Sequence, residues 1–269
     1  MKSNRNRSFQ AGFSIIELMV SLVIASFVIL AVVGIYGTSR EAYTSQDEVS
    51  KLHENIRIGM GLIERTMRQG NYKRIPITRD QNLLLVQAFS FAPVDGADGT
   101  ATTPGSNDVL EMRYNGNSRY PPLPAPADAA DGTIVDCAGQ SIAGDERANN
   151  RFRVQLVAGR PWFGCERPGH PTGSAFIPMI PDVEGFEVLY GIYSDESRTA
   201  SNFVPWSAAI DPMRVVSVRL HLLFRSGTEV AAAPSSRTYP LAERTYGPFT
   251  DRFLRTAVET TIVIRSSAM

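Results

Sequence analysis

Lysine is almost missing from this chain. Of its 27 basic side chains only Lys2, Lys51 and Lys73 are lysines, so chemistry that needs a lysine nucleophile or a phosphate-loop lysine has almost no candidates. Histidine and cysteine are as scarce, three and two in 269 residues, which leaves little for a dedicated metal site, and no cofactor is expected. Net charge is lacking too. The 27 basic residues balance 27 acidic ones and no long Lys/Arg run occurs, so there is no basic field to attract nucleic acid. A charged fraction of 20% with 9% aromatics and 43% apolar residues excludes a disordered chain. The length admits one large domain or two small ones.

Apolar residues are concentrated near the start. Met1 to Gly12 form a short polar leader with Lys2, Arg5 and Arg7 and no acid. Phe13 to Ser39 follow with one charge, Glu17, over more than the ~20 residues a membrane-crossing helix needs. Positive charge before the run, against a balanced Arg40/Glu41 pair after it, predicts that the leader stays in the cytoplasm and the remainder is exported. Glu17 is the anomaly. A carboxylate inside hydrocarbon costs about 2.5–3.5 kcal/mol on insertion scales, so its place in the run implies a partner. Neither an ordinary cleaved signal peptide nor a plain anchor supplies one. A cut between Gly12 and Phe13 would: the freed amine of Phe13, with an ordinary pKa of ~7.7–8, would be mostly protonated and could pair with Glu17 of its own chain or of a neighbour. A carboxylate in the first turn also suits the positive end of the helix dipole.

Gly12 followed by Phe13-Ser-Ile-Ile-Glu17-Leu-Met-Val-Ser-Leu resembles the cleavage and methylation motif of type IV prepilins. It joins a basic leader, a glycine before the cut, a phenylalanine after it and a glutamate fifth in the mature chain. The resemblance implies that a prepilin peptidase removes the leader, that the new amine of Phe13 is methylated, and that Glu17 helps bring the subunit into register with a filament. One departure stands out: many major pilins carry a proline roughly two-thirds along this segment, whereas Gly34 and Gly37 are the only breakers here.

Beyond the apolar run, Val49, Leu52, Ile56, Met60, Ile63 and Met67 recur at steps of three and four, one face of a continuing helix. Asp47 with Lys51 and Glu64 with Arg68 are i,i+4 pairs on its solvent side. Gly70-Asn71 reads as the stop signal, giving one helix from Phe13 to about Gln69. The rest reads as strands. Leu110, Met112 and Tyr114 form one inward face; Phe152, Val154 and Leu156 a second; Phe186, Val188, Tyr190 and Ile192 a third. Val216, Val218, Leu220, Leu222 and Phe224 make a fourth, against Ser217, Arg219, His221 and Arg225, and Val258, Thr260, Ile262 and Ile264 close the series. Leu83 to Phe89 could be a further buried strand. Pro93 to Ser106, Asn115 to Asp131, Arg167 to Gly173 and Ala231 to Pro240 read as loops. The predicted fold is α+β: a long amino-terminal helix, its first half membrane-spanning, packed on a mostly antiparallel sheet. That agrees with the pilin-like fold the resemblance implies.

Cys137 and Cys165 both lie in the part predicted to be exported, where an even number favours one disulfide. No catalytic constellation emerges. His53, His170 and His221 are scattered, and Gly139-Gln-Ser141-Ile-Ala-Gly144 has its second glycine one residue too late for a nucleophile elbow. Asp95-Gly-Ala-Asp98-Gly and Asp128-Ala-Ala-Asp131-Gly offer too few carboxylates for a calcium loop. Tyr120, Trp162 and Trp206 sit near Pro-rich loops, where such aromatics cap a core or anchor a partner.

The tracts Asp108 to Tyr114, Val183 to Gly191, Val216 to Arg219 and the closing Phe253 to Thr256 with Ile264-Arg265 resemble the strand pattern of PilW-type minor pilins. By that resemblance residues 1–12 are the leader, 13–39 the transmembrane and filament-core half of the helix, 40–70 its amphipathic half, and 71–269 an exported β-rich domain. It implies a non-enzymatic minor pilin that helps prime pilus assembly at or near the tip, supporting adhesion and twitching motility. Its implied partners are the prepilin peptidase, the inner membrane, other minor pilins, the major pilin and a tip adhesin. The implied location is the inner membrane, single-pass with the carboxy-terminal domain in the periplasm, and then the pilus surface. Two alternatives stay open: a minor pseudopilin of type II secretion, and a membrane-anchored periplasmic enzyme, which would keep Phe13 uncleaved and gather perturbed titratable groups in one pocket.

Overall fold

The computed structural model describes residues 14–72, 92–118, 129–144, 146–169, 175–193, 199–231, 233–234 and 236–264. The leader, Gly12, Phe13, the 83–89 run, His170 and Tyr120 lie outside the described residues, as does most of the proline-rich loop. The chain divides into two compact units, one up to Asp47 and one from Glu48 onward.

Helix α1 spans Ile15–Met67 and passes through Gly34 and Gly37 without a break. In the first unit it is a bare helix with its apolar residues exposed. In the second unit, Leu52, Ile63 and Met67 are at most 4% exposed, and burying each stabilises by about 1.5–3 kcal/mol. Ile56 and Met60 pack against the same core, while Val49, expected on this face, is 36% exposed. Gly59 lets the helix approach closely, since a Cβ there would stand 3.1 Å from Ile180. Glu64 pairs with Arg68 at 3.3 Å as the spacing predicts, and Lys51 bonds Glu48 at 3.1 Å. The helix ends at Met67, and it is Asn71, with φ 60°, that takes the left-handed conformation expected of a stop. The Asn71 amide then donates to the Arg113 carbonyl, which turns the chain onto the sheet.

Strands β1 (Val94–Ala97), β2 (Val109–Asn115), β3 (Arg147–Val157), β4 (Arg160–Glu166) and β5 (Ile177–Pro181) form an antiparallel five-stranded sheet in sequence order. The β3–β4 turn is a two-residue connection, Ala158-Gly159, with both φ values positive as a tight hairpin requires. A second sheet has the order β11-β8-β6-β7, from β6 (Val183–Ile192), β7 (Asn202–Val204), β8 (Val215–Arg225) and β11 (Arg255–Val263). β9 (Arg237–Leu241) and β10 (Arg244–Phe249) make a separate hairpin. The main core gathers Leu52, Ile63 and Met67 of the helix, Leu110, Phe152 and Phe163 of the first sheet, and Phe186, Leu220 and Phe224 of the second. Phe163 and Phe186 meet edge to face at 5.1 Å where the sheets touch.

The expected α+β arrangement of a long helix on antiparallel sheets is present, with corrections in detail. Leu156 is 51% exposed at the hairpin end of β3, not inward. A bulge between Gly191 and Ile192 pairs Val215 with Ile192 and Ser217 with Gly191. The extra residue, Val216, is only half-buried, while Val215 and Ser217 are both 4% exposed, reversing the alternation at that end of β8. Two expected loops contain strands: β1 lies within 93–106, and β9 covers most of the end of 231–240.

Candidate functional site

The amino-terminal half of α1 has the surface of a membrane or bundle helix. From Ile15 to Tyr36 its large apolar side chains are all more than half exposed, and an 18-residue window reaches a mean hydropathy of 2.9. Three of its hydroxyls are satisfied by the helix itself. Ser21 Oγ donates to the Glu17 carbonyl at 2.7 Å, Ser26 Oγ to Val23 at 2.7 Å, and Thr38 Oγ1 to Ile35 at 3.0 Å. None of these groups therefore carries an unmet hydrogen bond into hydrocarbon. On an insertion scale the Leu, Ile, Val and Phe residues contribute about −0.3 to −0.6 kcal/mol each, which together outweigh the ~3 kcal/mol cost of one carboxylate. Glu17 lies in the first turn. Among the described residues its carboxylate has no hydrogen-bond or ion-pair partner, so the structure leaves it available to a group beyond them.

Cys137 and Cys165 are joined in a disulfide across a sequence separation of 28. It ties the loop before β3 to β4. The same loop is held by the Cys137 amide donating to Asn150 Oδ1 at 3.0 Å and by Tyr114 OH donating to the Val135 carbonyl at 2.7 Å. Asp136, 4% exposed, accepts from the Ala138 and Gln140 amides and from Arg167.

The outer face of the first sheet carries a ladder of ion pairs. Arg113 joins Asp95 at 3.0 Å and also Glu111; Arg151 joins Glu111 at 3.0 Å; Arg153 joins Glu166. A groove of about 470 Å³ runs along it, lined by Asp95, Gly96, Val109, Glu111, Arg151 and Glu166 among others.

A second polar cluster is enclosed, and it is the one sequence reasoning missed. The tracts starting at Asp108 and Val183 meet, bringing Asp108 (3% exposed) against Glu187 (2% exposed) with Tyr190 and Tyr246 fully buried beside them. Burial pushes Glu187 up to about 8, an effect reinforced by the Asp108 charge and opposed by its bond from Tyr246. Burial raises Asp108 as well, against the pull of the Gly99 and Val188 amides. Both tyrosine hydroxyls are pushed up, by burial first. The only early signal was two acids, Glu184 and Glu187, inside an otherwise apolar strand. An enzyme reading asks for such groups in one pocket, yet these are enclosed and none of them lines the groove.

The two described histidines, His53 and His221, stay apart. His53 is exposed on α1, and His221 lies 3.7 Å from Glu259, its pKa lowered by burial and partly restored by that carboxylate. Among the described residues no group of three His, Cys, Asp or Glu side chains could hold a metal ion. Trp206 packs on Tyr190 at 4.9 Å and against the main core, as a capping aromatic does, and Arg160 lies 5.7 Å over Trp162.

Two family descriptions match the chain: the prokaryotic N-terminal methylation motif over residues 7–33, and type IV pilus-assembly protein W over residues 152–266. The first contains Gly12, Phe13 and Glu17; the second runs from β3 to the end of β11. None of the curated proteins compared with the chain is a match. Among solved structures, a type IV-like pilin from Thermus thermophilus is 14% identical, with 79% of this chain and 95% of that one covered and a TM-score of 0.47. The methylation motif opens the exposed apolar helix and the W-type segment supplies the long strands that follow it, as the resemblance implied; over these residues the chain is similar to type IV pilus-assembly proteins of the W type.

Proposed function

We propose that this protein is a minor pilin, cut between Gly12 and Phe13 by a prepilin peptidase and methylated on Phe13. It waits in the inner membrane as a single-pass subunit with residues 71–269 in the periplasm, then joins a filament by packing residues 13–39 among the helices of other minor pilins and the major pilin. Residues 40–70 form the amphipathic half of the helix. The subunit helps prime assembly and sits at or near the tip, where it supports adhesion and twitching motility. The observation that carries this reading is Glu17, placed without a described partner in the first turn of an exposed apolar helix inside a matched methylation motif. A protonated amine at Phe13, of the same chain or of a neighbour, supplies the partner that a carboxylate in lipid requires. Mass spectrometry of the amino-terminal peptide from membranes tests it: methyl-Phe13 is the expected terminus, and an intact Met1 in mature filaments or membranes refutes it.

A further inference from the structure

The buried carboxyl pair sits where three elements meet. β6 has an outer edge at Phe186–Val188 that β7, paired only to 190–192, does not cover. Asp108 covers it with its own backbone and side chain: its amide donates to the Phe186 carbonyl at 3.1 Å and its Oδ2 accepts from the Val188 amide at 2.8 Å. Its Oδ1 accepts from the Gly99 amide at 2.8 Å. Glu187 projects from β6 and accepts from Tyr246 OH of the β9–β10 hairpin, and that hydroxyl in turn accepts from Asn107 Nδ2 at 2.7 Å. Elsewhere the hairpin is held by Leu241 and Tyr246 packing on Leu223, by Tyr246 lying against Gly185, by Arg244 reaching Asp98 and the Gly99 carbonyl, and by Arg255 over Phe249.

The surrounding charges do not neutralise two carboxylates. From β10, Arg244 Nε stands 3.5 Å from Glu187, but its guanidinium is shared with Asp98. Asp95 of β1 adds negative charge nearby, and Tyr190 of β6 is neutral and enclosed. His221, the cross-strand neighbour of Glu187 on β8, lies against Glu259. Two carboxyl groups in side-chain contact, both removed from water, cannot both be ionised without repelling each other. Asp108 already accepts two amides, which suits its ionised form, so the acid hydrogen belongs on Glu187, where it can donate to Asp108 while Tyr246 donates to the other side of the carboxyl.

We propose that Asp108 and Glu187 form a proton-operated latch for the β9–β10 hairpin: the hairpin is docked through Tyr246 while the pair holds one proton, and loss of that proton releases it. Opening exposes Glu187 to water, where its ordinary pKa applies, so a closed state titrating near 8 makes opening proton-dependent. The opening equilibrium should rise about tenfold per pH unit from about pH 5 to about pH 8 and level off above that.

Hydrogen exchange of the full chain in detergent micelles, corrected for intrinsic rates, tests this from pH 6 to pH 9. Peptides covering 237–249 should open about fiftyfold more readily at pH 8 than at pH 6, while β8 changes little. Glu187→Gln, which keeps the shape and the Tyr246 contact, should flatten that dependence. A flat profile in the native chain, the same slope in the variant, or an equal rise in β8 would overturn the latch. Should Glu187→Gln not fold, infrared spectroscopy of the native chain decides: a buried, protonated carboxylic acid band present at pH 6 and lost by pH 9 supports the proposal, and its absence at pH 6 refutes it.

Discussion

Replacing Arg255 by alanine tests how far ion pairs hold the carboxy-terminal strand in place. Its side chain is 3% exposed at the start of β11. Nε donates to Glu184 Oε2 at 2.6 Å and the two Nη groups to Asp251 at 2.6 Å each, and the guanidinium lies 3.6 Å over the Phe249 ring. Removing it strands Asp251, while Glu184 retains Arg225 at 3.2 Å. Asp251 is 30% exposed and Glu184 keeps a partner, so neither carboxylate is left as an isolated buried charge, and losing these charge-assisted hydrogen bonds costs about 1.5–3 kcal/mol. For a unit of this size that lowers the unfolding midpoint by roughly 3–12 °C. Thermal unfolding of the full chain in detergent, followed by Trp162 and Trp206 fluorescence, reads the loss directly. Arg255→Lys should recover only part of it, since an ammonium cannot bind both carboxylates as a fork. The same pair gives an acid signature. The bond from Arg255 holds the Asp251 carboxyl below its ordinary value. Its contribution is therefore complete above the unfolded pKa of about 3.9, is lost as pH falls through the folded value, and should shrink in Arg255→Ala, where the Phe253 amide and Arg225 still act on Asp251. A loss under about 1 kcal/mol would mean that the cluster behaves as a surface pair and would refute the reasoning.

Three further outcomes are expected. Replacing both Cys137 and Cys165 by serine should destabilise by about 3–4 kcal/mol, measured by urea unfolding, because the closed loop spans 28 positions. Glu17→Ala should still be inserted in membranes but be recovered poorly in sheared filaments, and normal pilus incorporation would remove the role given to Glu17. Gly96→Ala should cost about 1–3 kcal/mol in the same unfolding assay, because a Cβ there would stand 2.2 Å from the hydroxyl of fully buried Tyr190.

Local signals carried most of the helix and the long strands. α1 was legible because an unbroken apolar run leads directly into a three-four spacing ending at Asn71, and β2, β6, β8 and β11 because alternation survives over seven or more residues. The missed strands are short or interrupted. β5 contains Pro178 and Pro181, β9 contains Pro240 and β10 contains Gly247 and Pro248, residues that mark edges and bulges and so read as loop in isolation. Glu187 was legible as an acid in a strand but not as a buried one, since what covers it is Tyr246, 59 residues away. Val216 fails for a different reason: a bulge is a decision made by two strands together, and one strand's sequence does not contain it.

Asp108 has a consequence for how this fold tolerates change. A single residue, rather than a run of paired amides, finishes the uncovered margin of β6, so the segment from 98 to 107 is anchored only where it begins and where it ends. Insertions or deletions between those anchors can lengthen or shorten the excursion without sliding either sheet out of step. A shorter or longer excursion there should leave the framework folded, provided Asp108 is kept at that corner.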